Sequence, residues 1–138
     1  MGNQCLRDGL EITPDDIYAH VDAGGDICTT SALNPADYAD RFAALSKEYD
    51  AVIHINISAE FSSCFQNAVL ASQDFDNVYV VDSRNLSTGH GHVVLRAAEL
   101  AESGMSAEDI VKDLNVFTSK VDASFILSRL DYMKTVSY

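Results

Sequence analysis

Two short apolar runs interrupt a largely amphipathic chain. Residues 51–57 (AVIHINI) and 78–82 (VYVVD) are rich in β-branched side chains and bounded by polar residues. Such runs are typical of buried strands. We therefore predict strands at 51–57 and 78–82, and a third at 123–127 (ASFIL).

Helix-type spacing surrounds these runs, and several capping signals mark where helices begin. The predicted helices are one opening at Thr13 and ending at Gly24, one opening at Asn34, one over about 62–72, one over about 88–103, and one opening at Ser106. Their predicted inward side chains are Ile17 and Val21, then Tyr38, Phe42, Leu45 and Tyr49, then Val93, Val94, Ala97, Leu100 and Ala101, and finally Ile110, Leu114 and Phe117.

Strands that alternate with helices predict an α/β fold with a parallel sheet flanked by helices. The sequence shows no repeat and no linker, so we expect 1–138 to form a single domain. Ligands of such folds bind at the carboxyl ends of the strands. That rule directs attention to two loops, 58–63 and 82–88.

The composition of the chain disfavours several classes of binding partner. The net charge is −12, with only 9 Lys and Arg residues. This balance disfavours nucleic acid and anionic membrane surfaces. No apolar run approaches the roughly 20 residues of a membrane span, and the first residues do not resemble a secretory signal. The three cysteines, without a CxxC spacing, fit a reducing compartment, and we expect a cytoplasmic protein.

Hydroxyl side chains form two clusters. Ser62 and Ser63 follow the first predicted strand at a helix start, where free N–H groups favour an anion. Thr30 and Ser31 stand before another capped helix. Taken alone, each cluster is more often a helix cap or a turn than a ligand site.

The residues that could bind a metal or act as a nucleophile give weaker signals. His90 and His92 would supply two ligands, whereas zinc needs three or four. Cys64 lies near a helix start that favours a thiolate, but no arginine follows it as in a phosphatase loop. The glycine patterns of nucleotide-binding loops and the G-x-S-x-G elbow are absent. We predict no metal, no cofactor and no catalytic residue.

Four stretches, in order along the chain, resemble motifs of the DegV family. They are 30–35 (TSALNP, similar to TSQPSP), 57–66 (ISAEFSSCFQ, similar to ISSxLSGTYQ), 81–83 with 87–91 (VDS and STGHG, similar to VDSxxxSxGxG) and 130–134 (LDYMK, similar to LxYLK). Residues 8–13 also resemble the family's hairpin and first helix start. Their order and spacing make the resemblance specific, and together they cover nearly the whole chain.

The resemblance implies a carrier that encloses one long-chain fatty acid in an apolar tunnel and is not itself an enzyme. It assigns the carboxylate to the hydroxyls of Thr30 and Ser62, with Ser31 and Ser63 as secondary candidates. It also implies a partner, an ATP-using fatty-acid kinase subunit to which the carrier presents the acid. We expect the two hydroxyls to converge on one carboxylate.

The chain departs from the family pattern in places. Ala32 and Leu33 replace Gln-Pro, Ser63 replaces a glycine, and Ala59 replaces a serine. The resemblance also implies a strand upstream of residue 8 and a second, C-terminal domain, so we expect 1–138 to be most of the N-terminal domain with that second domain absent. Apolar surface left uncovered would favour a homo-oligomer.

Two alternatives belong to other classes of protein. One is a small hydrolase that uses Cys64 or Ser62 with a histidine. The other is a structural or oligomerising fragment that binds no ligand. A fatty acid that co-purifies with the chain would distinguish the carrier from both.

Overall fold

The structure is a computed structural model that describes residues 4–126. Its elements in chain order are α1 (Pro14–Asp22), α2 (Pro35–Glu48), β1 (Val52–Asn56), α3 (Cys64–Ser72), β2 (Val78–Asp82), α4 (Ser87–Glu102), α5 (Ala107–Phe117) and a 3-10 helix (Thr118–Lys120). The chain divides into two compact units between Ser31 and Ala32, and each is described by itself.

The first unit contains α1, which begins where the sequence predicts it. Thr13 Oγ1 accepts a hydrogen bond from Asp16 N (3.4 Å), and Asp16 Oδ2 accepts one from Thr13 N (2.9 Å), which forms a capping box. Ile17 and Val21 are half-buried rather than fully buried. Because α1 is the one helix within residues 4–31, its apolar stripe has no second helix of that unit to pack against.

The second unit is built on two parallel strands. Val52 of β1 pairs with Val78 of β2, and the register continues to Asn56 opposite Asp82. Because side chains alternate between the two faces of a strand, His54 and Asn56 point to one face while Ile53 and Ile55 point to the other. Helices cover both faces, which confirms the predicted parallel sheet flanked by helices.

One hydrophobic cluster lies on each side of the sheet. The cluster beneath α2 and α3 contains Tyr38, Phe42, Ala68, Ala71 and Val78. The cluster beneath α4 and α5 contains Val81, Val93, Leu100, Ile110 and Leu114. Apolar side chains therefore pack against both faces of the sheet, as expected of parallel strands covered by helices.

Helix α4 has a narrower buried stripe than predicted. Val93 and Leu100 are buried, as predicted, but Val94 is 41% exposed and Ala101 is also exposed. Each residue along a helix turns by about 100°. The residue that follows each buried position therefore lies toward solvent.

A bidentate ion pair joins α4 to α5. Arg96 Nε and Nη2 each donate to the carboxylate of Asp113 at 3.0 Å, and the guanidinium lies 5.8 Å from the ring centroid of Phe117. Both charged side chains are about one-third exposed, so the pair contributes modestly to stability.

Two predictions at the ends of elements are wrong. Tyr49 is 53% exposed, because α2 ends at Glu48 and the backbone of Tyr49 is extended. The strand expected at 123–127 is absent over 123–126, where Phe125 is 78% and Ile126 is 98% exposed. Leu127 and the motif at 130–134 lie outside the described residues.

Candidate functional site

The carboxyl ends of β1 and β2 lie side by side, because Asn56 pairs with Asp82 in the parallel register. Asp82 Oδ1 accepts hydrogen bonds from the backbone N–H of Ala59 (3.2 Å) and of Arg84 (2.8 Å). These two N–H groups belong to the loops that follow β1 and β2. One carboxylate therefore fixes both loops at the edge where the sequence predicts a ligand.

Backbone hydrogen bonds connect the same two loops. Ser58 N donates to Asn85 O (2.9 Å), and Ser83 N donates to Asn56 O (3.0 Å). Ser83 is fully buried, and its hydroxyl lies 3.2 Å from Nδ1 of His90. His90 thus pairs with a buried serine and helps to hold the second loop.

Ser62 lies two residues before the first residue of α3, at the helix start that the sequence predicts. Its Oγ accepts a hydrogen bond from Cys64 N (3.2 Å), and its side chain is half-buried. The hydroxyl of Ser62 has one hydrogen, which it can donate to one acceptor at a time. Ser63 occupies the cap position without a side-chain capping hydrogen bond, and it is exposed.

Tyr38 and Cys64 connect Ser62 to the end of β1. Asn56 Nδ2 donates to Tyr38 Oη at 3.3 Å. Burial, with a smaller contribution from the neighbouring Cys64, raises the pKa of Tyr38 to about 12, although the hydrogen bond from Asn56 acts in the opposite direction. The phenol of Tyr38 is therefore protonated at neutral pH and can donate a hydrogen bond.

The Cys64 thiol has an unusual setting. Burial raises the pKa of this thiol. Hydrogen bonds to its sulfur from Ser62 and Tyr38, together with one from the backbone of Leu33, outweigh burial and lower the net pKa below its ordinary value. Hydrogen bonds to the charged form of a group favour that form. The single hydroxyl hydrogen of Ser62 thus has the Cys64 sulfur as its acceptor, and a ligand carboxylate would compete with the sulfur for it.

Two polar side chains of β1 point toward α2. The ring of His54 packs edge-on against Tyr38 and Phe42, each with its centroid 5.4 Å away. Burial, and next the nearby His90, lower the pKa of His54, so its imidazole is neutral at pH 7. The neighbouring Asn56 side chain, which can accept a hydrogen bond from the His54 ring, acts in the opposite direction on this pKa.

Thr30 and Ser31 lie in the first unit, in a segment without regular secondary structure, and both are exposed. Ser62 and Ser63 belong to the second unit. The predicted convergence of Thr30 and Ser62 on one carboxylate therefore stays a prediction.

Tyr38 and Asn56 lie beside the site, although the sequence pattern does not single them out. In the sequence, Tyr38 is one member of the apolar stripe of its helix. A signal for Asn56 was present, because His54 and Asn56 alternate with isoleucines and so place two polar groups on one face of a buried strand.

Comparison with known proteins places this arrangement in a family. A family model described as "Uncharacterised protein, DegV family" matches residues 1–135. The chain belongs to the DegV family. A DegV domain-containing protein from Clostridium perfringens is 30% identical over 132 residues, which cover 94% of this chain and 47% of that protein. The chain spans about half the length of the curated relatives it matches.

Solved DegV structures share the fold. A fatty-acid-binding DegV family protein from Thermus thermophilus superposes with a TM-score of 0.76 and 39% identity, over 83% of this chain and 41% of that one. A stearic-acid-binding protein from Eubacterium ventriosum superposes with a TM-score of 0.72 and 26% identity, again over 83% of this chain and 41% of the other. These likenesses confirm the predicted fold class.

The hydrolase alternative predicts a histidine within hydrogen-bond reach of Ser62 or Cys64. Among residues 4–126, no hydrogen bond joins Ser62 or Cys64 to a histidine, and His90 pairs with Ser83 instead. A Ser–His or Cys–His pair within hydrogen-bond reach is the usual requirement for an activated nucleophile.

The described residues hold no group of three or more His, Cys, Asp or Glu side chains placed to bind a metal ion, and His92 is exposed. None of the described helices is both long enough and apolar enough to cross a membrane.

Proposed function

We propose that this chain binds a long-chain fatty acid, with the carboxylate held by the hydroxyls of Thr30 and Ser62 and with Ser31 and Ser63 as secondary donors. The observation that carries the proposal is the position of Ser62. Its half-buried hydroxyl lies in the loop that follows β1, just before α3. The first N–H groups of a helix lack intrahelical partners and favour an anion.

The energetics of an acyl ligand suit a site with few polar groups. Removing an acyl chain from water contributes about 0.8 kcal/mol per CH₂. A chain of about 16 carbons in an apolar tunnel therefore supplies most of the binding free energy. Neutral hydroxyls then need only orient the carboxylate, and they avoid the desolvation cost of a buried cation.

We propose further that the chain acts as a carrier rather than as an enzyme, and presents the bound acid to an ATP-using fatty-acid kinase subunit. Support comes from the sequence, which lacks the glycine patterns of nucleotide-binding loops. The test is acyl phosphate formation by such a kinase, with and without the carrier. Equal rates in the two reactions would contradict the carrier role.

Denaturing extraction followed by mass spectrometry tests ligand binding. The protein is purified from its complete gene, unfolded in organic solvent, and its lipids are quantified per chain. The proposal predicts roughly one long-chain fatty acid per chain. Protein without bound fatty acid, which also fails to take up added acid, would favour a non-binding structural role.

The same protein tests the hydrolase alternative. Turnover of generic esters that is abolished by Cys64→Ala or Ser62→Ala would support a hydrolase and contradict the carrier. The carrier proposal predicts no turnover above the rate of the uncatalysed reaction.

A further inference from the structure

Two side chains of α3 hold the backbone of Leu33, just before α2. Asn67 Nδ2 donates a hydrogen bond to Leu33 O at 2.7 Å, and the N–H of Leu33 donates to the sulfur of Cys64. Cys64 and Asn67 are three positions apart on α3, so they lie on the same face of that helix. We refer to these two contacts as the Leu33 clamp.

Cys64 connects the Leu33 clamp to the hydroxyl of Ser62. The sulfur of Cys64 accepts hydrogen bonds from both the Leu33 N–H and the Ser62 hydroxyl. In addition, Cys64 N donates to Ser62 Oγ at 3.2 Å. Two groups that donate to the same atom lie near each other, so the backbone of Leu33 and the hydroxyl of Ser62 are neighbours at the start of α3.

The residues that follow Leu33 are constrained as well. Asn34 Oδ1 accepts a hydrogen bond from Asp37 N at 3.0 Å and so caps α2. The ring of Pro35 fixes the backbone of the first helical residue. Three successive residues, held by the clamp, the cap and the proline ring, therefore determine where the chain enters α2.

The segment before Leu33 carries the hydroxyls of Thr30 and Ser31 and has little else to hold it. Residues 26–33 form no helix or strand. Among the described residues of that segment, Leu33 alone makes a hydrogen bond. Because Thr30 is three residues before Leu33, its Cα lies within about 11 Å of the Leu33 Cα. The Leu33 clamp therefore limits where Thr30 can lie.

We propose that Asn67 is a positioning residue for the hydroxyls of Thr30 and Ser31, an inference that rests on the proposed fatty-acid function. By holding Leu33 O, Asn67 fixes one end of the segment that carries both hydroxyls. A donor whose backbone is already fixed loses less conformational entropy when it binds a ligand. Asn67 thus strengthens acid binding without contacting the acid.

The test measures the effect of Asn67→Ala in three backgrounds by calorimetric titration of hexadecanoic acid into protein purified from its complete gene. In the otherwise unsubstituted protein, Asn67→Ala should weaken binding about threefold to tenfold. In the Thr30→Val background it should change the affinity by less than about twofold, because the hydroxyl that Asn67 positions is gone. In the Ser62→Ala background it should keep its full effect.

The backgrounds separate positioning of Thr30 from a structural role in α3. If Asn67 only supported α3, its effect would persist with Thr30→Val and disappear with Ser62→Ala, and that result would overturn the inference. Alanine has the highest helix propensity, so Asn67→Ala should leave the helix intact. Asn115→Ala makes the same exchange at an exposed position of α5, and this control should bind the acid as the unsubstituted protein does.

Amide hydrogen exchange of the ligand-free protein tests the Leu33 clamp itself. Asn67→Ala should speed exchange of the Leu33 amide about threefold or more, and Asn115→Ala should not change it. Unchanged exchange in Asn67→Ala would overturn the inference. If the unsubstituted protein binds no acid, the proposed function is wrong and the inference falls with it. If Asn67→Ala binds the acid as tightly as the unsubstituted protein does, only the inference is wrong.

Discussion

At the scale of single residues, hydroxyl groups carry the polar chemistry of the two clusters around Thr30 and Ser62. Neither hydroxyl cluster has a lysine or arginine next to it in sequence. Hydrogen bonds between a neutral donor and a charged acceptor are stronger than neutral pairs, so a carboxylate can be held without a cation. Under the proposed function, the affinity for a fatty acid would depend on a few individual donors.

Replacing Thr30 with Val or Ser62 with Ala should each weaken fatty-acid binding about tenfold or more, because a hydrogen bond to a charged group contributes roughly 1.5–3 kcal/mol. Calorimetric titration measures the change. Ser119→Ala, an exposed serine of the 3-10 helix, serves as the control and should bind normally. Unchanged affinity in both site variants would remove Thr30 and Ser62 from the site.

The Cys64 thiol should react with iodoacetamide at lower pH than an ordinary thiol, because the thiolate accepts hydrogen bonds from Ser62 and Tyr38. As pH rises, alkylation should begin below the usual thiol range of about 8.5. Peptide mass spectrometry resolves Cys64 from the other two cysteines. Ser62→Ala removes one donor and should move the midpoint to higher pH. A midpoint that does not move would contradict the contact between Ser62 and the sulfur.

Residue-level prediction succeeded where the local sequence carries the information. Ser62 follows an apolar run and precedes a helix, and both features are visible in sequence. The hydrogen bond between Tyr38 and Asn56 was not predictable, because it joins two residues 18 positions apart that only packing of α2 on β1 brings together.

At the scale of elements, the predicted bounds of β1 and β2 lie within one residue of the observed bounds, and those of the helices lie within two. These bounds are predictable because β-branched runs and capping residues act locally. The strand expected at 123–127 shows the limit of this reasoning. Phe125 and Ile126 have the composition of a strand, but a strand forms only where a neighbour pairs with it, and composition cannot supply the neighbour.

Packing of α5 against the sheet should account for a large share of the stability. Leu114 is fully buried in the cluster beneath α4 and α5, so Leu114→Ala should lower the free energy of unfolding by about 2–5 kcal/mol. Leu95→Ala is the matched control. Leu95 is 61% exposed on α4, and its loss should change the unfolding free energy by less than about 0.5 kcal/mol. Urea denaturation of both variants measures the difference, and equal costs would contradict this packing.

At the scale of the whole molecule, two features act in opposite directions on self-association. Exposed apolar side chains favour it, and a high net charge opposes it. Phe61 and Leu70, for example, are 61% and 56% exposed in the second unit. The net charge of −12 resists association of copies at low salt. We predict a homo-oligomer whose formation strengthens as salt screens that charge.

Light scattering across a range of salt concentrations checks the prediction. The expected result is a mass of at least twice that of one chain, rising or constant with salt. A monomer at high protein concentration that also fails to bind an apolar dye would contradict it.

The central claim is that this DegV family chain binds one long-chain fatty acid. The most direct test is a calorimetric titration of hexadecanoic acid into lipid-free protein purified from its complete gene. The expected result is saturable binding with a stoichiometry of about one acid per chain, because the proposed apolar tunnel would hold one acyl chain. Absence of saturable binding at every concentration below the solubility limit of the acid would contradict it.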